Sequence, residues 1–173
     1  MAKIKPESAI VCDAGPIIHL DELNCLDLLS DFQEIIIPLE VEKEINKHRS
    51  SALKSEDLVW KRTAGEIAIN NRLMTLCKVF SLDLGETQAL AIMAKNPQAL
   101  FLTDDAAARL VAEQMRFKVH GTIGIVVRSL RRRQRRPEEV IQILSEIPAK
   151  STLYIRRALL IDIVDKIKNE YNL

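Results

Sequence analysis

Short continuous apolar runs alternate along this chain with longer stretches whose apolar residues recur every third or fourth position. AIVCDAG (9–15), EIIIP (34–38) and ALFLTD (99–104) are continuous runs ended by Gly, Pro or acids, the pattern of strands buried on both faces. LCKVF (76–80) and KVHG (118–121) read as two shorter strands. The helical pattern is expected over 22–32, with Leu23, Leu26, Leu29 and Phe32 at steps of three, and over 39–48 after Pro38. Segment 52–73 is polar and reads as helix, with Trp60 as its one large anchor. Further helices are expected over 85–95, 105–115, 122–133, 137–147 and 154–171.

Strands alternating with helices at these connection lengths imply an α/β fold, an open and mostly parallel sheet with helices on both faces. The one shift in composition is an arginine run at 128–136. It divides the expectation into an α/β domain over 1–133 and a helical extension over 134–173, packed on that domain or on a dimer partner. The last segment carries Leu159, Ile163 and Ile167 as an apolar stripe suited to either.

Charge and cysteine content narrow the classes. The 173 residues carry a formal net charge of +1, so the molecule as a whole attracts no partner and any nucleic-acid contact must come from a local patch. The 3 cysteines, Cys12, Cys25 and Cys77, form no paired motif, which fits a reducing compartment and a cytoplasmic setting. No run approaches the ~18 apolar residues of a membrane span, and the first residues do not read as a signal peptide. GxSxG, Walker A and GxGxxG motifs are absent. His19, His48 and His120 have no metal-ligand spacing, although His19 is close to Asp13 in the chain.

The informative feature is where the acids fall. In an open parallel sheet, ligands bind beyond the carboxyl ends of the strands, where strand order reverses. Asp13 ends the first run, and Asp104 and Asp105 end the ALFLTD run. Glu86 opens the helix after SLDLG, and Glu44 lies a turn or so past Pro38. Each has a structural reading: Asp105 as a helix cap, Glu86 as a favourable charge at a helix start, Glu44 as a solvated helix residue. As a set they read differently, because several carboxylates at one edge need a cation. Hard oxygen donors of this kind suit Mg²⁺ or Mn²⁺ and phosphate chemistry.

With these residues in view, the chain resembles the PIN-domain family of Mg²⁺-dependent ribonucleases, in its prokaryotic, toxin-like branch. The resemblance runs from about residue 10 to 133 through IVCDAGPIIHL, IIIPLEVEKEI, LDLGETQALAIMAK, LFLTDDAAARLVAEQMRFKV and HGTIGIVVRSLRR. Carried over by position, it implies catalytic roles for Asp13, Glu44, Glu86 and Asp105, and a metal held by Asp13, Glu86 and Asp105 with Asp104 assisting. The implied activity is hydrolysis of RNA phosphodiester bonds with Mg²⁺ or Mn²⁺. A homodimer and a small antitoxin protein are the implied partners. Two positions depart from the pattern: Ala14 stands where many relatives have Ser or Thr, and Glu86 where many have Asp. These departures keep a second reading in place, a PIN fold that binds nucleic acid or protein without cutting.

The arginine run also has two readings. Arg128, Arg131, Arg132 and Arg133 fit a phosphate-contacting patch, and equally a favourable charge at a helix C-terminus. Other acid-rich α/β folds fit less well. A haloacid-dehalogenase-type phosphatase needs a second Asp where Gly15 stands, and a receiver domain needs its acid pair near the N-terminus.

Overall fold

The computed structural model describes residues 7–63 and 68–173. Five parallel strands, β1 (Glu7–Cys12), β2 (Phe32–Pro38), β3 (Trp60–Thr63), β4 (Leu100–Leu102) and β5 (Lys118–His120), form one sheet in the order β3-β2-β1-β4-β5. The chain winds outward from β1 in one direction through β2 and β3, then crosses back to β4 and continues to β5. Strand order therefore reverses between β1 and β4, and the carboxyl ends of those two strands flank the crevice.

Strand residues alternate between two apolar layers, as pleating requires. Ile10, Cys12, Ile35, Ile37, Leu100 and Leu102 face one layer. It is covered by α1 (Ala14–Glu22), α2 (Leu39–Arg49) and α6 (Thr122–Arg131). Val11, Ile36 and Phe101 face the other, covered by α3 (Asn71–Val79), α4 (Leu84–Lys95) and α5 (Ala106–Gln114). The two C-terminal helices, α7 (Pro137–Lys150) and α8 (Arg157–Tyr171), place Val140, Leu144, Ile147, Leu160 and Ile167 in the first of these layers, so they share its core. No helix among the described residues is long and apolar enough to cross a membrane.

Several elements differ from the sequence pattern. LCKVF is not a strand: Leu73 and Cys77 are the buried face of α3, which Asn70 caps by accepting the Leu73 N–H. Trp60 does not anchor a helix but begins the edge strand β3, after a 3₁₀ turn at Ala52–Lys54. Residues 64–67 of the expected 52–73 helix lie outside the described residues. The first helix begins at Ala14, eight residues before the expected start at 22, and Leu26–Asp31 is a 3₁₀ segment. Gly15 and Pro16 look like a turn in sequence, but Pro is tolerated in the first turn of a helix, where its missing N–H has no partner to lose.

Candidate active site

Asp13 follows β1 directly and caps α1: the Ala14 N–H donates to its Oδ1 at 2.8 Å. The buried Thr103, just past β4, donates its hydroxyl to Asp13 Oδ2 at 3.0 Å. Asp13 is only 9% exposed. Burial, with the charges of Asp83 and Glu44 adding to it, pushes its carboxyl up to about 6 despite those two hydrogen bonds. An aspartate so placed is costly to ionise in the metal-free protein.

The other acids arrive from separate elements. Glu44 is exposed, one turn into α2. Asp83 and Glu86 form a capping box at the start of α4: the Glu86 N–H donates to Asp83 Oδ1 at 2.8 Å, and the Asp83 N–H to Glu86 Oε2 at 2.9 Å. Burial, then the charges of Asp83, Asp105 and Asp13, raise Glu86 to about 7. The mutual repulsion ties Asp13, Glu44, Asp83, Glu86 and Asp105 to one region at the carboxyl edge of the sheet. Gly85 lets that start of α4 lie against α2, since a Cβ there would meet Val41 Cγ2 at 3.3 Å. Asp83 is not among the acids that the strand ends single out. Its signal in the sequence is Asp-x-x-Glu ahead of an apolar run, the signature of a capping box.

Asp104 and Asp105 part company. Asp105 caps α5, accepting the Ala108 N–H at 2.8 Å through Oδ1, and its own N–H donates to Thr103 Oγ1 at 3.1 Å. Asp104 instead accepts from the Thr122 N–H at 2.8 Å and from the Thr122 hydroxyl, and it lies 2.8 Å from His19 Nδ1. Both of its oxygens are engaged by α1 and the start of α6, so it joins those helices to β4. Gly121 makes the approach possible: a Cβ there would fall 2.5 Å from Asp104 Oδ1.

Part of the arginine run is turned away from the acids. Arg128 and Arg132 close on Asp31, which immediately precedes β2. The seven residues of β2, at about 3.3 Å each, separate that point from the acids. Arg128 is 4% exposed, and its guanidinium lies over the Phe32 ring, 4.7 Å from the centroid. Arg135 pairs with Asp27 and Arg136 with Glu139. Arg128 and Arg132 are thus part of the scaffold, while Arg131 and Arg133 are exposed at the same end.

No three His, Cys, Asp or Glu side chains among the described residues are grouped closely enough to hold one ion. The donor set nonetheless fits a hard divalent cation. Asp13, Glu86 and Asp105 offer carboxylate oxygens only, and repulsion is already felt in the raised Asp13 and Glu86. The capping bonds of Glu86 and Asp105 use one oxygen each, Oε2 and Oδ1, and leave the second without a hydrogen bond among the described residues.

Neither a curated protein nor a solved structure matches the chain. A family model described as a PIN domain matches residues 9–169. That span takes in all five strands except the start of β1, every acid of the carboxyl edge, and both C-terminal helices nearly to their end. The parallel sheet, the acids at its switch point and this match together assign the chain to the PIN-domain family, a nuclease-type fold.

Proposed function

We propose that the protein is a Mg²⁺- or Mn²⁺-dependent ribonuclease that hydrolyses RNA phosphodiester bonds, in the manner of the toxin-like PIN proteins. One observation carries this reading. Five carboxylates from three separate helix starts and one helix body stand near the switch point of a parallel sheet, where their charges oppose one another.

Asp13, Glu86 and Asp105 would hold the ion. Such an ion supplies positive charge against the phosphodiester and activates water as the nucleophile. Thr103 fixes Asp13 and the backbone of Asp105 with one hydroxyl. Glu44, exposed on α2, would orient a water or a leaving group. Asp104 positions the helices around the site through Thr122 and His19. The free, buried cysteines fit a reducing, cytoplasmic setting. A toxin-like role further implies a small antitoxin over the acidic edge. A homodimer would use the exposed Leu159 of α8.

The test is incubation of the purified chain with end-labelled single-stranded RNA in Mg²⁺, Mn²⁺ or chelator, with the product ends mapped. The reading predicts metal-dependent fragments bearing 5′-phosphate and 3′-hydroxyl ends. RNA left intact in both metals by folded protein, or cutting that persists in chelator, contradicts it.

A further inference from the structure

A nuclease must hold the sugar-phosphate backbone on either side of the bond it cuts, and Arg128 and Arg132 are already committed to Asp31 before β2. The carboxyl edge has lysines of its own. An open cleft of about 450 Å³ lies between α2 and the start of α4, lined by Glu40, Lys43, Glu44, Lys47 and His48 on one side and by Asp83 and Gly85 on the other, so its lysines stand among carboxylates. Residues four apart on a helix share a face, so Lys43 and Lys47 stand in one row and Glu44 and His48 in the next. All four are exposed. Because α2 runs away from the carboxyl edge, the cleft changes character along its length. Glu44 and Asp83 lie at the acidic end, beside Asp13, and Lys47 and His48 lie a turn farther out.

We infer that this cleft is the track along which an RNA strand leaves the acidic centre, with Lys43 and Lys47 contacting backbone phosphates next to the one hydrolysed. The inference rests on the ribonuclease reading and gives it a substrate path. Lys43 meets Glu40 at 2.6 Å, but Lys43 is exposed and Glu40 only half-buried, and a surface pair of that kind is weak enough for a phosphate to displace. The alternative surfaces are poorer. Arg128 and Arg132 are held on Asp31, and Arg131 and Arg133 lie at the far end of α6 from its start beside Asp104. No Phe, Tyr or Trp among the described residues lines the cleft, so the contact is chiefly to backbone.

The experiment measures binding, not cleavage, so that a failed nuclease reading and a failed binding site give different results. Fluorescence anisotropy with a labelled single-stranded RNA of mixed sequence, in chelator, is compared for the full chain, for Lys43→Ala/Lys47→Ala and for Arg131→Ala/Arg133→Ala. Circular dichroism confirms that all three are folded. The inference predicts that the lysine variant binds at least about tenfold more weakly, and that its log–log salt slope is shallower by about 1.4, two phosphates' worth for a single strand. The arginine variant should bind as the unmodified chain does. Equal affinity and slope for the lysine variant, loss confined to the arginine variant, or no binding by the unmodified chain at low salt would each overturn it. Binding that depends on the lysines, with no cleavage in any metal, would retain the cleft as an RNA site and remove the nuclease reading.

Discussion

The Thr103 hydroxyl donates to Asp13 Oδ2 at 3.0 Å across the gap between β1 and β4, and the same oxygen accepts the Asp105 N–H at 3.1 Å. One buried side chain thus holds both halves of the acidic edge. Thr103→Val keeps the shape and removes both bonds, leaving the Asp13 oxygen and the Asp105 N–H without their partner. We expect a loss of about 1–3 kcal/mol in urea unfolding and at least a tenfold fall in RNA cleavage. Thr103→Ser should restore most of both.

Asp13 and Glu86 make stability depend on pH in a definite direction. Burial and neighbouring acids raise Asp13 from 3.8 to about 6 and Glu86 from 4.5 to about 7. Between their unfolded and folded values, the folded chain holds protons that the unfolded chain has released. Their stabilising contribution is therefore present below about pH 4 and is lost as pH rises toward 7. Asp13→Asn removes the larger burial cost. Its melting temperature relative to the unmodified chain should rise between about pH 4.5 and pH 7.5, reaching roughly 1–3 kcal/mol, or a few degrees. A flat difference across that range in differential scanning calorimetry would contradict the assignment.

How much of this was legible in the sequence depends on what each residue had to reveal. Ile35–Ile37 reads as a buried strand, Asp13 and Asp105 are visible because charges rarely end such runs, and Glu86 is visible because it opens the helix after SLDLG. The edge strand at Trp60–Thr63 was hidden because Lys61 and Arg62 face solvent, so it carries no apolar run. Residues 76–80 misled in the opposite sense: a short apolar run does not reveal its period, and only Asn70, capping six residues upstream, marks it as helix. The arginines were misleading for another reason. Sequence shows a charge but not which edge of the sheet it reaches, and Asp31, the partner of Arg128 and Arg132, is about a hundred residues away.

Gly121 allows Asp104 to meet the start of α6. A methyl at that position would lie 2.5 Å from Asp104 Oδ1 and 3.2 Å from the Thr103 carbonyl oxygen. Its φ of −112° suits any residue, so the clash alone decides the outcome. Gly121→Ala should cost about 1–3 kcal/mol in chemical unfolding and lower cleavage by displacing the Thr103–Asp105 segment. Gly124→Ala, nearest to His120 at 3.3 Å, serves as the milder control.

Asp31 tests the scaffold role of the arginines. Its carboxylate receives Arg128 and Arg132 with side-chain exposures of 5% and 16%. Asp31→Asn should lower stability by roughly 1–3 kcal/mol, since it takes a counter-charge from the buried Arg128 guanidinium. RNA affinity below the melting transition should be unchanged, as measured by anisotropy.

The central claim is that the acids gathered at the carboxyl edge perform metal-assisted hydrolysis. The most direct measurement is the single-turnover rate of RNA cleavage in Mn²⁺ by the unmodified chain and by Asp13→Asn, both shown to be folded. Asn keeps an acceptor for the Ala14 N–H while removing the charge. The account predicts cleavage by the unmodified chain and a fall of at least about a hundredfold in the variant, in line with loss of a principal charge in a catalytic site. Equal rates in the two proteins would contradict it.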